Sequence, residues 1–70
     1  MSSMKIGKNL KFLRKQKNLT QNEVADVLNI TRQDYCRYEN DHREIPLEAL
    51  CSLSDFYGET TDFILGRESL

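Results

Sequence analysis

Seventy residues allow one domain with a single small core, and the two cysteines, Cys36 and Cys51, neither have C-x-x-C spacing nor suffice for a disulfide-stapled secreted scaffold, so both are expected reduced. No apolar run approaches the roughly 18 residues that span a bilayer, and the opening M-S-S-M-K-I has no stretch of signal-peptide length, so a cytoplasmic protein without membrane contact is expected. The formal net charge of −1 excludes a uniformly basic nucleic-acid binder, but not one with its cations gathered on one side.

Gly and Pro are scarce and apolar residues recur at helical spacing, which predicts an all-α fold of five short helices. Ile6, Leu10 and Leu13 stripe a first helix that runs to about Lys17; Phe12 lies about 120° from Ile6, off that stripe. Thr20 and Glu23 form a capping box that opens a second helix, with Val24, Ala25, Val27 and Leu28 as its inner face and Asn29 as a left-handed stop. Thr31 with Asp34 reads as a second box, opening a third helix whose inner face is Tyr35 and Tyr38 and which stops near Asn40. Pro46 suits the first position of a fourth helix, striped by Leu47, Leu50, Leu53 and Tyr57 and ended by Gly58. A last short helix, 60–65, closes at Gly66, and the short linkers press all five helices into one globule over residues 1–70.

Charge is unevenly divided among these elements. Up to Arg37, eight basic residues (Lys5, Lys8, Lys11, Arg14, Lys15, Lys17, Arg32, Arg37) stand against Glu23, Asp26 and Asp34, a balance of +5; from Tyr38 onward it is −6. Such asymmetry fits a nucleic-acid face on one side. Within Gln21 to Tyr38, two helices of about two turns flank a three- to four-residue turn, and Ala25 is small where they must approach. With Tyr35 and Tyr38 given to the core, Arg32, Gln33, Cys36 and Arg37 point outward. Arg forks onto the two major-groove acceptors of guanine and Gln matches adenine, so these side chains form a candidate base-reading surface.

Residues 6–66 resemble the Cro/C1-type helix-turn-helix domain, a compact five-helix, lambda-repressor-like DNA-binding fold. The likeness is carried by L-T-Q-N-E-V-A-D-V-L-N-I-T-R-Q (Leu19 to Gln33), C-R-Y-E-N (Cys36 to Asn40), L-E-A-L-C-S-L (Leu47 to Leu53) and T-D-F-I-L-G (Thr61 to Gly66). The resemblance implies that Gln21 contacts a phosphate and buttresses the third helix, that Thr31 and Asn40 also lie on the DNA backbone, and that Arg32, Gln33 and Arg37 reach base edges. It implies a structural ion pair between Arg14 and Glu39. Asn29 and Asp41 stand where the family commonly has Gly, and both residue types tolerate the left-handed conformation. Asp34 and Asp41 add anions near the expected phosphates, which Arg43 is placed to offset as a further backbone contact.

The expected function is sequence-specific binding of double-stranded DNA by a small dimeric transcriptional regulator, a repressor by the resemblance, on a palindromic operator. Phe63, Ile64 and Leu70 are the expected homodimer contacts. The alternative is an antitoxin-like or anti-repressor module that turns the same fold to a protein partner. Lone His42 has no neighbours in sequence that make a metal site, and neither a cofactor nor catalysis is expected.

Overall fold

The computed structural model describes residues 6–67; Leu70 lies outside them. Five helices follow in order, α1 (Gly7–Gln16), α2 (Gln21–Leu28), α3 (Arg32–Glu39), α4 (Leu47–Tyr57) and α5 (Thr61–Leu65). α3 packs on both α1 and α2, α4 lies against α2 and α5, and α1 also meets α5. The expected five-helix, all-α architecture is the one observed, and its core gathers Leu10, Leu13, Val24, Ala25, Tyr35, Leu50, Leu53 and Ile64 from every helix.

Local chemistry sets the helix ends. Thr20 Oγ1 accepts from the Glu23 amide at 3.1 Å while Glu23 Oε1 accepts from the Thr20 amide at 2.8 Å, so the first capping box is complete. Asn29 ends α2 in the left-handed region at φ 61°, and the Ile30 amide reaches back to Ala25 O at 3.0 Å, turning the chain straight into the Thr31 cap of α3. That second cap is only half a box. Thr31 Oγ1 accepts from the Asp34 amide at 3.1 Å, but the Asp34 carboxylate goes to Arg37.

Two readings of the apolar faces and two of the helix starts are corrected. Val27 lies on the flank of α2 and is 41 % exposed, because Val24, Ala25 and Leu28 already span the side that meets α3 and α4. Leu47 is 73 % exposed at the lip of α4, ahead of Leu50 where that helix first enters the core. Pro46 is the extended N-cap of α4 (φ −66°, ψ 154°) and not its first helical residue. The last helix likewise begins at Thr61, with Thr60 as its cap, accepting from the Phe63 amide.

One tight crossing goes beyond what the pattern predicts. α1 starts against the end of α3, where Gly7 has no side chain to spare: a Cβ there would stand 2.1 Å from the Glu39 carbonyl oxygen. The Gly7 amide donates to Asp41 Oδ1 at 3.0 Å, so Asp41, held left-handed at φ 58°, caps the N-terminus of α1 from the far side of the sequence. Asp41 is therefore a structural anion of the fold. Gly7→Ala is expected to lower stability by at least about 1–3 kcal/mol, since backbone and not a flexible side chain must move; an unchanged urea midpoint would show that α1 has room at this crossing.

Candidate nucleic-acid interface

The candidate surface depends on how α3 is held from behind. Tyr35, Tyr38 and Glu39 are its buried residues, and Glu39 is a carboxylate only 4 % exposed. An ionised buried carboxylate needs partners on both oxygens. Glu39 Oε2 accepts from Arg14 Nε at 2.6 Å and from the Tyr35 hydroxyl at 2.6 Å; Oε1 accepts from Arg14 Nη2 at 3.2 Å and Gln21 Nε2 at 3.0 Å. Arg14 Nη1 further donates to Leu19 O at 2.9 Å. One carboxylate thus joins α1, the start of α2 and α3, and Arg14 adds the loop between the first two helices.

These contacts decide its charge. Burial alone pushes the Glu39 carboxyl up, but the hydrogen bonds from Arg14, Tyr35 and Gln21, with the nearby guanidinium charge, outweigh it and hold the carboxyl below its ordinary value. The Arg14 guanidinium is raised, chiefly by its hydrogen bond to Glu39. Burial, then the hydrogen bond to Glu39, drives Tyr35 far above the usual tyrosine range, and burial with the Glu39 charge pushes Tyr57 up to about 12.

With that side of α3 fixed, its outward side follows from helical spacing. Gln33 and Arg37 point directly away from the core, flanked by Asp34 and Cys36, while Arg32 leans toward α2. Arg32, Gln33 and Arg37 are exposed, and Cys36 is half-buried with its sulfur accepting from Asn40 Nδ2 at 3.2 Å. Two of the expected base readers are already engaged: Arg32 Nη1 donates to Gln21 Oε1 at 3.3 Å, and Arg37 Nη1 donates to Asp34 Oδ1 at 2.8 Å. Gln21 is therefore a bridge, with its amide nitrogen on Glu39 and its oxygen on Arg32. Thr31, at the N-terminus of α3, and Asn40, at its C-terminus, are exposed at the two ends of this surface, with Arg43 exposed in the loop beyond. α1 adds Lys8, Lys11 and Lys15, and its C-cap Lys17, all exposed.

Of the residues expected at a dimer contact, two lie among the described residues. Ile64 is fully buried in the core and has no area to offer a partner, which corrects its expected role; Phe63 is half-buried against the same core, and Leu70 lies outside the described residues. Sequence reasoning also missed Asp34 as the partner of Arg37, although their i, i+3 spacing was a legible signal, and Tyr35 as a donor to Glu39. Among the described residues, no cluster of His, Cys, Asp and Glu is placed to hold a metal, and no helix is long and apolar enough to cross a membrane.

A short two-turn helix, a tight left-handed turn and a second short helix with a polar outward face define a helix-turn-helix unit. The helix-turn-helix family profile matches residues 10–64, and the chain belongs to that family. Among curated proteins it is similar to the HTH-type transcriptional regulator ImmR of Bacillus subtilis, at 37 % identity over 96 % of this chain and 53 % of the relative. It is also similar to AnsR of the same organism, another HTH-type transcriptional regulator, at 45 % identity over 80 % of this chain and 48 % of the relative. The antitoxin PezA of Streptococcus pneumoniae is 34 % identical over 93 % of this chain and 41 % of its own length. This chain thus spans about half the length of the regulators it matches. A crystal structure of a transcriptional regulator from Listeria innocua shares the fold, with a TM-score of 0.85 over 93 % of this chain and 61 % of that one at 22 % identity.

The Glu39 cluster sets an acid limit on the fold. Because its folded pKa lies below the unfolded value of about 4.3, its contribution is complete above about pH 5 and is lost as pH falls through the folded pKa. Glu39→Gln is expected to cost about 3–5 kcal/mol near neutral pH, by leaving Arg14 without its carboxylate, and to flatten the acid limb of the stability curve. Urea midpoints across pH 3–7 check this; parallel curves for the two proteins would contradict it. At the alkaline end Tyr35 and Tyr57, both raised, make stability fall only once pH passes about 10.

Proposed function

We propose that this chain is a DNA-binding transcriptional regulator, a repressor in the first instance, in which α3 enters the major groove, α2 lies across the phosphate backbone and the lysines of α1 supply long-range attraction. The observation that carries the reading is the set of exposed side chains Arg32, Gln33 and Arg37 on a helix anchored through its own Glu39 to α1 and α2, so that a fixed backbone presents polar forks to base edges. Gln21, Thr31, Asn40 and Arg43 set position on the phosphates. The membership in the helix-turn-helix family and the similarity to ImmR and AnsR support regulation of transcription. A regulator with these features works in the cytoplasm.

The Cα frame is 29 Å at its longest, shorter than the roughly 34 Å between half-sites one DNA turn apart, and it carries one α3. A pair of copies reading a palindrome is the arrangement that fits, with Phe63 at the pairing surface. A second reading rests on the match to the antitoxin PezA: a protein partner covers one of the separately exposed apolar side chains Phe12, Val27, Leu47 or Phe56. Both activities are compatible in one chain.

Selection from a randomised duplex pool, followed by affinities over a salt series, tests the first reading. A motif is expected, with specific affinity falling as salt rises in proportion to the phosphates neutralised. Arg37→Ala is expected to cost about 1–3 kcal/mol on the selected duplex and to relax one position, whereas Gln21→Ala weakens all sequences more evenly. No sequence preference would sink the regulator reading and leave the partner reading standing. For the pairing surface, sedimentation of Phe63→Ala should show weakened self-association; an unchanged equilibrium moves the interface elsewhere.

A further inference from the structure

Asp34 sits among the outward residues of α3 with the wrong sign for a duplex. It is the third residue of the helix, its amide already serves the Thr31 cap, and its carboxylate takes Arg37 one turn later at 2.8 Å. The two side chains are 38 % and 54 % exposed, so the pair adds little to folding stability; a first-turn carboxylate suits the helix dipole, and here it also ties down an exposed arginine. Its neighbour Arg32 is held by the neutral Gln21. Only one of the two outward arginines is therefore tied to an anion.

We infer that Asp34 is a specificity-determining residue: it positions Arg37 for a base edge and penalises any duplex on which that edge is missing. The inference rests on the reading that α3 enters the major groove. A free arginine on a flexible stem swings to either phosphate strand, which gives affinity without sequence information. Holding Nη1 on Asp34 leaves the Nε and Nη2 donors of Arg37 to form the two parallel bonds that guanine accepts. On a matching site Arg37 bridges the carboxylate and the guanine, and every charge is compensated. On a mismatched site the same carboxylate is pressed against an anionic groove with its arginine only partly satisfied. Discrimination is a difference of two affinities, and Asp34 acts by lowering the wrong one.

The full chain tests this as wild type, Asp34→Asn, Arg37→Ala and the double variant, each measured on the selected duplex and on a scrambled duplex across 50–200 mM salt. Asp34→Asn is expected to tighten binding to the scrambled duplex, steepen its salt dependence by up to about one phosphate, and lower the specific-to-nonspecific ratio about tenfold. In the Arg37→Ala background the same replacement should leave that ratio unchanged, whereas a merely structural role at the third helical position would move it alike in both backgrounds. Asp34→Ser, with thermal melts alongside, keeps the comparison open if the Asn variant loses its fold. A wild-type motif with an unaltered ratio in Asp34→Asn overturns the inference alone, as does an equal loss of ratio with and without Arg37. A wild-type chain that selects no motif overturns the groove reading itself, and this inference with it.

Discussion

Glu39 is the point at which the helix-turn-helix becomes a rigid object. Its carboxylate is buried, charged and fully bonded, with Arg14 reaching it from α1, Gln21 from α2 and Tyr35 from its own helix. In a domain with so small a core, a buried ion pair is a weak source of net stability, because desolvation consumes most of the attraction. What it supplies is geometry. Four directional bonds converge on one group, and a shift of any of the three helices breaks at least one of them.

The consequences run outward from that point. Gln21 spends its amide nitrogen on Glu39 and is thereby forced to aim its oxygen at Arg32. Arg37, on the far side of α3 from the core, is out of reach of this cluster and takes a separate carboxylate, Asp34. The outward surface therefore has two differently supported arginines, one on a neutral bridge that leads back to the core and one on an exposed anion. The end of α3 is fixed in turn by its crossing with α1, where Gly7 gives up its side chain to the Glu39 carbonyl and its amide to Asp41. A basic first helix, an anchored α3 and an acidic second half are thus joined through a few short contacts.

Much of this was legible in the sequence because it is local. Thr20 with Glu23, Asn29, Gly58 and Gly66 mark helix ends through chemistry confined to a few residues, and the five helices follow from them. The misreadings fall where the third dimension decides. Val27 and Leu47 have the right type and near-right spacing, yet each lies just beyond the area its neighbours cover, which periodicity alone does not show. Ile64 looked available for a partner because a five-residue helix has no clear inner face, and in the fold the core claims it completely. Gly7 and Asp41 stand 34 positions apart, and nothing in either neighbourhood announces their bond. At the candidate site, residue types gave the outward row of α3, whereas the partners of Arg32 and Arg37 emerged only with the side chains placed.

The central claim is that the outward side of α3, held from behind by Glu39, is the surface that meets DNA. Titrating isotope-labelled protein with its selected duplex, and following amide and side-chain signals by NMR, addresses it most directly. The largest changes are expected at Gln21, Thr31, Arg32, Gln33 and Arg37, with the signals of Tyr35, Glu39 and the α4–α5 pair nearly still. Changes centred on Val27, Leu47 or Phe56, with α3 silent, would contradict it.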